Sequence, residues 1–207
     1  MELLRMLLVT PLEKGSSPAV AELAAFFDET LGFTPNSVLT MQRRPEIAEA
    51  FINLNKAVMM NAGRVTAEQK RFIGMLTSLA TGCRYCQAHT ALAAQRYGAS
   101  QARLDAIWDY QSSPLFSDAE RAAFNFAIAA ASVPNAVTQE LGDALHAYWS
   151  DEEIVEILGV VALFGFLNRW NDTLGTPLEA EPLAYAKETL AAKDWSAGKH
   201  DPAGTAT

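Results

Sequence analysis

The chain is short of the residues that carry most enzyme chemistry: 207 residues include two cysteines and three histidines. It has no GxGxxG or Walker sequence, so a bound nucleotide has no support. Its longest apolar run, Ile157 to Leu167, falls well short of the ~20 residues that a membrane span needs. The opening MELLRMLLVTP is apolar but short and is interrupted by Glu2, Arg5 and Pro11, so neither a signal peptide nor a membrane anchor is expected. Positive charge is in deficit. A formal net charge of −8 argues against nucleic acid or an anionic membrane surface as the main partner. A soluble cytoplasmic protein is the expectation.

What is present is a large apolar fraction, 50 % of the residues, enough for a sizeable core. No stretch alternates apolar and polar residues as a half-buried strand would, and nearly every stretch between breakers has helical spacing. The pattern predicts an all-α protein, with helices near 18–31, 45–61, 67–80, 83–97, 100–110, 118–132, 137–148, 151–171 and 182–193. A short helical turn is expected within 33–44. Three starts fit a capping box: Thr66 with Gln69, Ser117 with Glu120, and Ser150 with Glu153. Stops fall at Gly32, Gly63, Gly98 and Gly175. Residues 198–207 read as a loose polar tail. Residues 66–80 laid over 150–164 share the cap and apolar positions such as Ile73 with Ile157 and Leu76 with Val160, a weak internal repeat. Asn168 to Asp172 could line a pocket or an oligomer contact near the cysteines, but reads rather as a helix end whose Trp170 packs into the core.

Both cysteines fall in one stretch, TGCRYCQAHT at 81–90. Thr81-Gly82 interrupts the preceding apolar helix and puts Cys83 in the first turn of the next one. Unpartnered amides and the helix dipole favour a thiolate there, and Arg84 adds a cation. Residues three apart on a helix have Cβ atoms roughly 5–6 Å apart, whereas a disulfide wants about 3.8 Å. A Cys83–Cys86 bond would therefore be strained, which suits a cycling disulfide better than a permanent one. His89 lies about 60° around the helix from Cys86 and about 120° from Cys83, so it is placed to control the Cys86 proton. Two other readings stay open. The cysteines can pack as small hydrophobes, or join His89 as metal ligands, although no nearby fourth ligand is evident.

GCRYCQAH running on into HTALAAQRYG resembles the carboxymuconolactone decarboxylase-like superfamily, and within it the alkylhydroperoxidase D-like branch that carries CxxC. The likeness takes in FGFLNRWNDTLG and DWSAGKH and covers the chain from about residue 35. It implies a single alkylhydroperoxidase D-like helical domain over 1–207, with two related halves as one option, that assembles into homo-oligomers. It implies a thiol-disulfide oxidoreductase that reduces small peroxides. Cys86 would be the peroxidatic thiol, Cys83 the resolving thiol and His89 the proton relay, with an external dithiol as reductant and no cofactor or metal. Two positions depart from the family pattern. Arg71 stands where the family has a glutamate, leaving Glu68 as the nearest acid to take over the relay, and Thr90 stands where the peroxidase pattern has its histidine. A non-catalytic, redox-sensing helical oligomer and a lactone decarboxylase-like enzyme are the competing readings. The decarboxylase branch lacks the cysteine pair.

Overall fold

The computed structural model of the chain describes residues 7–60 and 62–203. Within them every regular element is helical, as the spacing predicts. Four helices make the centre: α4 (Ala67–Thr81), α5 (Arg84–Arg96), α7 (Asp118–Ala131) and α9 (Asp151–Leu174). Helix α4 packs against the other three. It is buried on every side from Lys70 through Ser78, which is why its apolar positions form no clean stripe. Helices α1 (Pro18–Leu31), α2 (Asn36–Met41) and α3 (Pro45–Met59) precede this group, and α3 packs on α1 and α9. Helices α6 (Gln101–Ala106) and α8 (Gln139–His146) connect the central elements, and α10 (Ala180–Thr189) returns to lie on α5.

The local signals account for most helix ends. All three capping boxes form, and Thr66, Ser117 and Ser150 each accept from the backbone N–H three residues on. The 100–110 segment becomes α6 plus a 3-10 turn at Ile107–Asp109, and α3 stops at Met59, while residue 61 lies outside the described residues. The turn that separates α4 from α5 is Gly82, whose φ of 78° is accessible to glycine at little cost. It reverses the chain within one residue and brings the CxxC segment back along α4.

Two expectations change. Helix α9 runs on to Leu174 with Asn168 and Asn171 buried, so the polar Asn168–Asp172 stretch is helix interior rather than helix end. Trp170 stacks on Phe166 with ring centroids 5.8 Å apart and is only partly buried. The expected loose tail is packed as far as Asp201. The Leu178 N–H donates to the His200 carbonyl at 2.8 Å, and His200 is buried. Just before it, Trp195 Nε1 donates to the Arg84 carbonyl on α5 at 3.3 Å. Burial of one indole and one imidazole holds a segment whose composition is polar. The opening residues 1–6 and the last four, 204–207, lie outside the described residues.

The two halves suggested by the weak repeat meet directly, because α4 and α9 cross at Gly74. A methyl group there would lie 2.4 Å from Phe164 Cε2, inside van der Waals contact. Gly74→Ala is expected to destabilise the protein by about 1–3 kcal/mol, through overpacking of a filled core. A denaturant titration at constant m-value measures it, and an unchanged midpoint would show that Phe164 swings aside freely.

Candidate functional site

Cys83 is the N-cap residue of α5 and Cys86 sits in its first turn. Both are free thiols and both are buried, at 0 % and 2 % exposure. Burial pushes the Cys86 thiol well above its ordinary value; the neighbouring Cys83 thiol adds to the rise, while a hydrogen bond from Asn171 opposes it. For Cys86 burial thus outweighs the pull of the helix terminus, and the magnitudes say why. Full burial moves a pKa by up to 3–5 units, whereas a helix terminus contributes roughly 0.3–1 kcal/mol, less than one unit at 1.36 kcal/mol each.

Cys86 forms part of the wall of a cavity of about 90 Å³ between α1, α3, α4, α5 and α9. That is the same order as the ~150 Å³ apolar cavity that admits benzene. The wall is mostly apolar, with Phe27, Phe51, Phe164 and Leu167 facing Cys86, His89, Arg71 and Asn171. Cys83 does not line it. The two cysteines thus divide: one faces the cavity, the other lies behind it at the helix cap.

His89 lines the same cavity, so α5 brings together Cys86 and the histidine as the spacing predicts. Its Nε2 lies 2.6 Å from Glu179 Oε2, and its ring stacks on Tyr85 with centroids 4.3 Å apart. Glu179 was not expected from the sequence. It is the N-cap residue of α10, and it also accepts from the Tyr85 hydroxyl at 2.8 Å and from the Asn36 backbone N–H at the start of α2. Burial alone would raise its pKa, but His89 and the two other donors outweigh that, and the net shift is downward. The only sequence signal was an acid just ahead of the apolar α10 segment, which by itself marks a helix start.

Glu68 is not brought to the cysteines. Its carboxylate pairs with Arg103 Nε at 3.1 Å, in a network with Glu120, and is no part of the cavity wall. Arg71, at the position of the family's glutamate, is buried in the cavity wall. Thr90, at the family's histidine position, turns its hydroxyl back to the Cys86 carbonyl at 2.7 Å. Asn171, from the polar Asn168–Asp172 stretch, lines the cavity as well, the less favoured of the two readings of that stretch. Its Nδ2 donates to Cys86 Sγ at 3.6 Å, within reach of a sulfur acceptor. Among the described residues no three of histidine, cysteine, aspartate and glutamate converge as metal ligands.

A helical hairpin with CxxC at its turn, a cavity at the second cysteine and a histidine one turn on define a class before any comparison is made. The family model of the carboxymuconolactone decarboxylase family matches residues 45–129, from α3 to α7. The debrominase Bmp8 is 36 % identical, with a TM-score of 0.82 over 88 % of this chain and 97 % of that one. A cysteine-to-alanine variant of Bmp8 in complex with 2,3,4-tribromopyrrole superposes with a TM-score of 0.83 at the same identity and coverage. The chain therefore belongs to the carboxymuconolactone decarboxylase family. A peroxidase-related protein from Ralstonia eutropha JMP134 with an alkylhydroperoxidase AhpD core shares the fold. It is 23 % identical at a TM-score of 0.73, over 84 % of this chain and 94 % of that one. The Escherichia coli K12 protein YnjA is 33 % identical over 98 residues, and the match spans 53 % of its length.

The Glu179 node gives a test. Glu179→Gln is expected to cost about 1–3 kcal/mol, because three buried donors lose a charged acceptor. A carboxylate whose folded pKa is depressed contributes stability that is full above its ordinary value of 4.5 and is lost as pH falls through the folded pKa. The wild-type advantage should therefore be constant near neutrality and shrink below about pH 4.5. Chemical denaturation of both proteins across pH 3–8 measures it, and a pH-independent difference would contradict the assignment.

Proposed function

We propose that this protein is a thiol-dependent reductase of the peroxidase-like type, in which Cys86 reacts with substrate and Cys83 resolves it. The observation that carries this reading is that Cys86 and His89 line the cavity whereas Cys83 lies behind it. In the peroxide reaction Cys86, as its thiolate, attacks the terminal peroxide oxygen. The O–O bond breaks, the alcohol or water leaves with a proton supplied through His89, and Cys86 becomes a sulfenic acid. The Cys83 sulfur then attacks the Cys86 sulfur, water leaves, and the pair ends as a disulfide that an external dithiol reduces. The Cys86 proton must be lost first, and the Asn171 amide is placed to stabilise the resulting anion. Glu179 fixes the imidazole of His89, taking the place that the sequence pattern assigned to an acid on α4.

A second substrate class is favoured by the aromatic wall and by the 36 % identity to a debrominase. Reductive dehalogenation uses the same two electrons. The carbon–bromine bond breaks, the ring carbon gains a proton, bromide leaves, and the two thiols end as a disulfide. Among non-catalytic readings, a redox sensor would need the same disulfide but no substrate turnover.

The reduced protein should consume cumene hydroperoxide or release bromide from 2,3,4-tribromopyrrole over many turnovers when supplied with dithiothreitol. Cys86→Ser is expected to lower the rate at least about a hundredfold, as loss of a nucleophile does. Cys83→Ser, treated with peroxide in the absence of dithiol, should accumulate a dimedone-reactive sulfenic acid at Cys86 instead of an internal disulfide. Turnover of neither substrate, or Cys86→Ser turning over at the wild-type rate, would defeat the proposal.

A further inference from the structure

Arg71 takes no part in the two-thiol reaction, yet it stands in the same cavity wall at 5 % exposure. Its guanidinium lies over the Tyr97 ring with Cζ 3.8 Å from the centroid. One nitrogen, Nη1, donates to the carbonyls of Met59 and Ala67, each at 3.3 Å. A guanidinium offers five N–H donors and stays protonated at any ordinary pH; the Tyr97 side chain is a further hydrogen-bond partner, and none of these partners is a carboxylate. Among the described residues no carboxylate pairs with it, and Glu68, one turn earlier on α4, is held by Arg103. The adjacent Lys70 shows what a structural cation looks like in this helix. It is fully buried and sits 2.6 Å from the Glu156 carboxylate. A buried cation without a counter-ion costs several kcal/mol, and burial correspondingly lowers the proton affinity of Arg71. The same cavity is lined by Phe27, Phe51 and Phe164, rings suited to a flat apolar body.

We propose that the cavity selects small aryl anions, an aryl carboxylate or phenolate whose charged oxygen pairs with Arg71 while its ring lies among Phe27, Phe51 and Phe164 beside Cys86. This rests on the reading of the cavity as the substrate seat of the Cys86 thiol. It ranks molecules that carry both a negative charge and an aromatic ring above neutral aromatic substrates. Neutral rings of the same shape leave the guanidinium without a counter-charge, so they still enter and react at Cys86 but bind more weakly. Arg71 is in these terms a specificity-determining residue that contacts the substrate away from the reacting atom.

The test uses the full-length reduced protein and two ligands that thiols do not reduce, benzoate and its neutral isostere benzamide. Calorimetric titration should show benzoate binding roughly tenfold or more tightly, as a charge-assisted bidentate contact implies. Benzoate should also slow N-ethylmaleimide labelling of Cys86, read by peptide mass spectrometry, which locates it in this cavity. Arg71→Met should bring benzoate down to the affinity of benzamide, while Arg71→Lys should keep part of the preference. If circular dichroism shows that Arg71→Met does not fold, the wild-type preference and Arg71→Lys decide. Equal affinity of the two ligands for wild type, or benzoate binding that leaves Cys86 labelling unchanged, overturns the inference. An unchanged preference in folded Arg71→Met overturns it as well. Selective benzoate binding without turnover of either test substrate supports this inference while defeating the reductase reading. Peroxide turnover without a benzoate preference does the reverse.

Discussion

The site is organised around one buried carboxylate. Glu179, itself the N-cap residue of α10, receives donors from two other pieces of chain: His89 and Tyr85 on α5, and the backbone N–H of Asn36 at the start of α2. A carboxylate taken out of water must have its lone pairs occupied, or the protein loses several kcal/mol. That demand fixes the rotamer of His89, and with it the edge that the imidazole presents to the cavity. It also holds the start of α10 against α5, so that Trp195 and His200 close over the same helix. Loss of the carboxylate would leave the thiols in place and release the histidine beside them.

The thiols obey a different constraint. A cysteine in the first turn of a helix is favoured as a thiolate, but here burial is the larger effect, and the resting Cys86 is a neutral thiol. The cavity wall carries one group that opposes this locally, the Asn171 amide donating to the sulfur. A site built this way is quiet toward bulk solvent, since both sulfurs are covered.

Much of the fold can be read from short-range pattern. The capping boxes at Thr66, Ser117 and Ser150 form as written because a hydroxyl and a carboxylate or amide three residues apart meet wherever the backbone turns into a helix. Gly82 and Gly175 end helices in the left-handed conformation for an equally local reason. The CxxC segment and His89 are legible because a single helix carries them. The Asn168–Asp172 stretch misleads because local polarity suggests a helix end, while the packing of α9 against α4 and α5 carries the helix on and buries Asn168 and Asn171. Residues 198–201 mislead in the same way, since polar composition does not reveal that Trp195 and His200 have a helix to pack on.

The partners of the site lie beyond the reach of spacing. His89 and Glu179 are 90 residues apart, Cys86 and Asn171 85 residues apart, and no periodicity links them. The sequence by itself determined the helical class, most helix ends, and the thiol pair with its histidine, because each follows from residues within a turn or two of one another. Only the tertiary structure decided which acid serves His89, that Glu68 is occupied elsewhere, that Arg71 is buried with no carboxylate partner among the described residues, and that Cys86 rather than Cys83 lines the cavity. Those outcomes depend on how helices distant in the chain cross. The closeness of that crossing at Gly74 and Phe164 is a property of the packed core.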